Sequence, residues 1–555
     1  AKYAFDYYRT RIVESDLSNG TKYNTMQEIE EDRLTRQEEN HFESNAEFLL
    51  IGNNKFGEKF QLNYMAGANF MYSDQNIYGG DVENMTYKNQ WYWNFANNIN
   101  NVTENGWRRA TNSVFGSVQM AYNEYVSLDI TARNDWSSTL PKDNNSYFYP
   151  SFNLGFVASD FVRTHWNKMP EWITFAKVRL SAAKVGKDAP PYAIYNRWEG
   201  GYLKGQAKKP ELSSTKANNN LRPETSWSYE AGLDMKFLNN RLGFDFTYYY
   251  TRTTDQIMTI PEAAPWKLRW INSGLIVNKG VEAMIYATPV QTKDFTFNLN
   301  VNLSHNTSTV KELNEKKKHI YFEGDQFMPV YVGAVEGGKL GDIYAKRMYK
   351  RDENGQIIMK NGVPVFTTDE QYSLDHPIGN IQPDLLMSVT PSFTYKGFTL
   401  SALFDMKFGG DVVSVSEAIA TSHGISKRTE QRGELLLPGM NEDGTVNTQR
   451  IDAQLFYQAV GGRQQAVAEE FVYDASFIRL KEISFGYSFP SLLLRKTPVS
   501  SLRVSFVGRN LAYLMKHTPG TSPEGGYDTS MFSQALDFSS LPYSRTFGFS
   551  INVGF

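Results

Sequence analysis

Between Leu385 and Tyr395 the chain alternates. Leu385, Met387, Val389, Pro391, Phe393 and Tyr395 hold the odd positions, with Ser388, Thr390, Ser392 and Thr394 between them. After Lys396 and Gly397 the pattern resumes as Phe398, Leu400, Ala402, Phe404, Met406 and Phe408. A period of two marks a strand with one apolar face, and the two-residue break between the runs predicts a hairpin. Tyr395 then faces Phe398, and the register pairs Phe393 with Leu400, Val389 with Phe404 and Met387 with Met406. All of them fall on one side of the sheet, and a slip of one residue would scatter them over both.

The same arithmetic holds elsewhere. Trp227, Tyr229, Ala231, Leu233, Met235 and Phe237 run into a turn at 238–241, from which Leu242, Phe244, Phe246, Tyr248 and Tyr250 return. Val114, Gly116, Val118, Met120 and Tyr122 turn at 123–125 into Val126, Leu128, Ile130 and Ala132. Val281, Ala283, Ile285 and Ala287 are expected to pair with Phe295, Leu299, Val301 and Leu303. The opposite faces carry Asp234, Lys236, Asn298, Asn300 and Asn302, which suits a wetted interior.

A soluble β-sandwich also alternates. Two features favour a membrane barrel instead. The apolar faces stay unbroken for about 9–11 residues, the length a tilted strand needs to cross a bilayer. The runs also begin or end in Tyr and Trp, as interfacial girdles do. The expected fold is all-β: an antiparallel transmembrane β-barrel, with about sixteen strands in this chain.

The expected connections alternate in length. Tight turns fall near 51–56, 123–125, 238–241, 290–294 and 396–397, with longer ones at 159–173 and 490–500. Between them lie the long connections 73–109, 187–223, 252–275, 310–384, 411–474 and 512–543. Short periplasmic turns and long extracellular loops are the rule in bacterial outer-membrane barrels. The last strand, Phe547, Phe549, Ile551, Val553 and Phe555, then descends to the periplasm, and its terminal aromatic resembles a barrel-assembly signal. One segment is ambiguous: residues 26–40 are charged on both strand faces and could form a polar helix. They are read here as strand standing above the bilayer.

Composition narrows the chemistry. With 57 basic and 60 acidic residues the formal net charge is -3, so no pull toward nucleic acid is encoded. No cysteine is present, which excludes disulfides, thiolate metal sites and a cysteine nucleophile. A mean hydropathy of -0.48 and the lack of any apolar run near 18 residues argue against a transmembrane helix. Barrel strands average out as polar and escape that test. Residue 1 opens without a basic or apolar leader, so any export signal is expected outside this chain. No catalytic motif, cofactor motif or metal-ligand spacing is found: the Ser elbow, the phosphate loop and the His-Glu-x-x-His helix are all missing. Asp352–Gly355 and Asn441–Gly444 echo part of a calcium loop, but such pairs are first of all turn formers.

Candidate ligand contacts are therefore aromatic. Trp91, Tyr92 and Trp93, together with Tyr195, Trp198, Tyr202, Trp266 and Trp270, map to loops or outer strand ends. Flat rings with polar tips suit a hydrated oligomer, and they suit interfacial anchoring or loop packing equally.

Several stretches together resemble the SusC/RagA family of TonB-dependent outer-membrane transporters. They are Ala132-Arg-Asn-Asp-Trp-Ser-Ser-Thr-Leu-Pro141 with Tyr147-Phe-Tyr-Pro150, then Gly341-Asp-Ile-Tyr344, and Tyr395-Lys-Gly-Phe398 leading to Phe408-Gly-Gly-Asp411. Ala475-Ser-Phe-Ile-Arg-Leu-Lys481, Ile483-Ser-Phe-Gly-Tyr-Ser-Phe-Pro490, Val507-Gly-Arg-Asn-Leu511 and Pro542-Tyr-Ser-Arg-Thr-Phe547 follow in the family's order. The resemblance implies a barrel of about 22 strands with an N-terminal plug. On that reading residues 1–555 are the C-terminal portion of the barrel domain, and the plug lies outside this chain. It also implies import of a glycan or peptide across the outer membrane of a Gram-negative bacterium. TonB would supply energy through the plug, and a SusD-type surface lipoprotein would act as a lid. The alternatives left open by the residues are a passive sixteen-stranded porin and a structural subunit of an outer-membrane assembly.

Overall fold

The computed structural model describes residues 1–16, 33–87, 90–166, 168–203, 206–313, 318–322, 327–520, 522–526, 530, 532–540 and 543–555. Its main sheet holds 17 strands among the described residues. One of them, Thr215–Lys216, is only two residues long and pairs in parallel with Leu268–Arg269. Setting it aside leaves sixteen longer strands, the number the alternation predicts. The chain divides into two compact units, the first made of residues 1–155, 181–228 and 253–274, the second of 156–180, 229–252 and 275–555.

In the first unit, Lys2–Asp16, Arg33–Phe56, Phe60–Met85, Ala96–Tyr122 and Val126–Ser137 pair antiparallel, each with the next. Register puts Tyr3 opposite Ala46, Phe5 opposite Ser44 and Tyr7 opposite Phe42. Phe48 and Leu50 continue that face, and Leu50 is 78% exposed. In water such a row would be an aggregation surface; in a bilayer it meets acyl chains, while the ladder between paired strands satisfies their backbone groups internally. The predicted turn pairs hold: Tyr122 faces Val126, Met120 faces Leu128 and Val118 faces Ile130.

In the second unit the meander continues from Leu275 through Phe295–Glu312, Leu385–Tyr395, Phe398–Phe408, Phe477–Ser488, Ser501–Lys516 and Thr546–Gly554. The hairpin register is the predicted one, with Phe393 opposite Leu400, Val389 opposite Phe404 and Met387 opposite Met406. Lys396 and Gly397 both have positive φ, 46° and 89°, the turn that matches strand twist. Phe393 stacks on Phe297 across the neighbouring pair at 4.6 Å between ring centres. Ile285 faces Val301, and Ala283 faces Leu303, as expected. Phe295 does not join that set: a bulge between Ala287 and Val290 shifts the register, and Phe295 pairs with Tyr395 instead. Pro289 sits in the bulge, where a residue without an N–H does least damage to a ladder. Arg241 donates to the carbonyls of Thr288 and Pro289 there.

Three expectations need correction. The turn placed at 51–56 is still strand, paired up to Phe56 with Phe60, and the chain reverses at 57–59 with Gly57 at φ 65°. The connections placed at 73–109 and 252–275 are far shorter, because strands run on to Met85 and Pro261 and restart at Ala96 and Leu268. Where both faces of a ribbon meet water, alternation is no longer required, but the backbone ladder continues. Of the ambiguous segment 26–40, residues from Arg33 onward are strand, and the part before it lies outside the described residues.

The buried core of the second unit is in the connections. Val330 and Val332, Val413 and Val415, Phe456 and Phe471, and Phe532 and Leu536 close on one another in a single cluster. Residues 411–414 pair with 472–474 on one side and 536–537 on the other. The two longest connections and part of the last one thus build a body with an interior of its own. It stands at the strand ends opposite the 396–397 turn.

Candidate functional site

The polar face of the second unit is a ladder of amides and hydroxyls. Asn298, Asn300 and Asn302 stand opposite Ser392, Thr390 and Ser388, and Asn302 donates to Ser388 Oγ at 3.1 Å. A cavity of about 470 Å3 opens on this face, lined among others by Asp245, Glu282, Asn302, Ser388 and Asp405. Arg179 holds Asp245 through two parallel bonds of 2.8 and 2.6 Å. Asp405 is held by Arg479 at 2.7 Å and Lys481 at 3.1 Å, and Arg479 also reaches Glu524 at 2.6 Å. The wall offers many acceptors, set among the apolar side chains of Met284, Leu303 and Leu386. It can pass a hydrated molecule along successive hydrogen bonds. No sequence signal marked Asp245 and Glu282 as partners of Asp405, because only strand pairing brings them together.

The sequence-predicted aromatics separate into distinct surroundings, all in the first unit. Trp91 packs on Leu34, Val82 and Met85, and its carbonyl accepts from Arg36 Nη2 at 2.8 Å. Tyr92 and Trp93 are exposed and line a cavity of about 920 Å3 with Arg9, Arg11, Arg36 and Glu104. Trp270 is a packing residue against Leu140, Ala193 and Leu221, with its carbonyl fixed by Asn218 at 3.1 Å. Trp266 is half-buried in the 262–267 connection, its amide bonded to Ala263 at 3.2 Å. Tyr195 and Trp198 are exposed, Trp198 by 72%, where it opens a short hairpin opposite Leu212. Tyr202 lies in that hairpin, and its side chain is outside the described residues. Tyr92 and Trp93 are thus brought into one cavity with charged groups. The arginines beside them were missed, since nothing in the spacing of Arg9, Arg11 and Arg36 announces that Trp93 will fold back on them.

The cored body of connections is braced by charged pairs. Tyr349 is buried; its hydroxyl donates to Glu470 at 2.8 Å and its amide to Glu469 at 2.6 Å. Arg351 meets Glu469 at 2.7 Å, and Arg428 meets Glu470. Burial, then the Glu470 charge, pushes the Tyr349 hydroxyl far above the usual phenol range. The two Asp/Asn-Gly motifs act as turns: Asp352 accepts from the amides of Asn354 and Gln356, and Asp443 from that of Thr445. Burial also raises Asp342 and Asp411 above the ordinary carboxylate range. Both carboxylates accept from Asn380, at 2.7 and 2.9 Å. A raised folded-state value means the fold prefers the protonated form. Its stabilising share is present at low pH and is lost as pH rises through the raised values. Amide exchange around residues 342–345 and 379–381, corrected for intrinsic rate, should thus slow on mild acidification from neutral pH. Asp342→Asn should reduce that dependence; unchanged protection in both would refute it.

A family model described as TonB dependent receptor-like, beta-barrel matches residues 1–340. TonB-dependent receptor P3 of Formosa agariphila is 27% identical over 474 residues, covering 80% of this chain and 45% of that protein. TonB-dependent receptor SusC of Bacteroides thetaiotaomicron is 24% identical over 451 residues, covering 77% of this chain and 43% of that protein. The chain spans about half the length of the curated relatives it matches. Among solved structures, one described as the RagAB peptide transporter superposes with a TM-score of 0.71 at 18% identity, over 99% of this chain and 59% of that one. At that identity the likeness is one of fold.

Proposed function

Because the chain belongs to the TonB dependent receptor-like β-barrel family, we propose that it walls an outer-membrane importer of an oligomeric nutrient, a glycan or a peptide. Energy comes from the TonB complex acting through a plug domain, and a SusD-type surface lipoprotein closes over the outer end. The observation that carries this reading is the cored body built by the long connections. A diffusion pore has no use for such a structure, whereas a receptor that captures cargo and seats a lid does. The polar ladder of Asn298, Asn300 and Asn302 supplies the hydrated path. Exposed Tyr195 and Trp198 are the proposed ring contacts to cargo, with Tyr202 a further candidate in the hairpin that Trp198 opens. Phe547, Phe549, Ile551, Val553 and Phe555 are the proposed assembly signal, along a strand whose Phe549 is 80% exposed.

The test uses the full-length protein with its lipoprotein partner in lipid vesicles. Saturable, micromolar-range binding of an oligosaccharide or peptide mixture is expected, along with near-silent bilayer conductance. Large steady conductance steps without binding would instead make the protein a passive porin.

A further inference from the structure

We propose that the groove under Tyr92 and Trp93 holds the phosphate-bearing headgroup of an outer-leaflet glycolipid. Register fixes which way it faces. On the first strand Arg9 and Arg11 follow Tyr3, Phe5 and Tyr7 at the same parity, and their partners Asn40 and Glu38 continue the face of Leu50, Phe48 and Phe42. The arginines therefore lie on the acyl-facing side of the sheet, not on its wetted side. Their height follows from strand geometry. At about 3.3 Å per residue and a tilt near 40°, Arg9 and Arg11 stand about 5 and 10 Å beyond Tyr7. With Tyr7 at the edge of the hydrocarbon and a headgroup layer roughly 5–8 Å thick, Arg9 stands at the level of the lipid phosphates and Arg11 just above them, at the level of the sugars.

The groove is built, not incidental. Residues 90–95 fold back over this face, with Trp91 packed on Leu34 and Val82. Arg36 clamps it through the Trp91 carbonyl at 2.8 Å, and Arg36 Nε is buried without a partner among the described residues. Three guanidinium groups against Glu38 and Glu104 leave the cavity net positive. Arg9 is bonded to Glu38, which fixes its fork in place. A guanidinium matches a phosphate in two-pronged fashion, and Tyr92 and Trp93 offer flat faces to a sugar ring. The volume of about 920 Å3 accommodates a phosphorylated disaccharide and not merely a free ion. This reading needs only a membrane barrel and stands apart from the import reading.

The test is native mass spectrometry of the full-length protein in neutral detergent. The probes are bisphosphorylated lipid A, its dephosphorylated form and, as competitor, inorganic phosphate. Adducts with the phosphorylated lipid alone are expected, weakened about tenfold or more in the Arg9→Gln/Arg11→Gln double variant. Lys55→Gln, at the far end of the adjacent strand, should leave them unchanged. Trp93→Ala, which removes no charge, should weaken them less; it also serves as the second variant if the arginine pair fails to fold. Equal uptake of both lipids, or full retention in the variants, overturns the proposal. Displacement by inorganic phosphate at the lipid's own concentration overturns it too, since the site would then bind the free anion.

Discussion

Val301→Arg is expected to cost the barrel about 2–4 kcal/mol, while Asn302→Arg, one residue further on, costs about 1 kcal/mol or less. The contrast comes from register alone. Val301 lies between Ile285 and Val389 on the acyl-facing side. It stands a few residues above the 292–294 turn, close to the middle of the hydrocarbon. An arginine there must lose its hydration or drag water into lipid. Asn302 points the other way, is exposed, and borders the cavity with Glu282 and Asp405. A long cation there can reach Glu282 or Asp405 and remain wet. Urea titration of the full-length protein in lipid vesicles, followed by tryptophan fluorescence, measures both. Equal losses in the two variants would mean that the faces have been assigned the wrong way round.

The second large effect concerns the connections. Phe471 is fully buried, with the Arg428 guanidinium 4.8 Å above its ring. Phe471→Ala should destabilise the cored body by about 3–5 kcal/mol, the loss of an aromatic in a packed interior plus the void it leaves. The damage should stay local, because among the described residues the cluster that forms this body's interior includes none of the acyl-facing rows. Limited proteolysis would show new cuts within 411–474, while the heat-dependent gel mobility of the barrel stays the same. Loss of that mobility would show that the body and the barrel fold as one cooperative unit.

The residues that sequence reading placed well share one condition: one side in lipid, the other in water. Leu385–Phe408 meets it, and there both strands and their pairing were legible to the residue. Beyond the hydrocarbon the condition lapses. Ser73, Asp74, Gln75 and Asn76 are polar on both faces, so their ladder with 106–109 left no trace in the pattern. The cored body was hidden for another reason. Its strands are short, such as Asp342–Ala345 and Asp411–Ser414, and so few residues cannot establish a period. Its partners are far apart in sequence, as with Val413 and Leu536. The aromatic cluster at 91–93 was recognisable as chemistry, but not the face it occupies, which depends on a loop reversing direction over Arg36.

Val332, Val413, Phe456 and Phe471 satisfy one another inside the connections, so substitutions on the outside of that body need not disturb the rows that meet lipid. Relatives at 22–27% identity over most of this chain are what such a division of labour permits. The surface of that body can diversify while the rules for entering a bilayer stay fixed. Grafting the connections as a set, with their interior intact, onto a related barrel is then the natural way to test whether they carry the proposed recognition, whereas swapping single loops would split a shared interior.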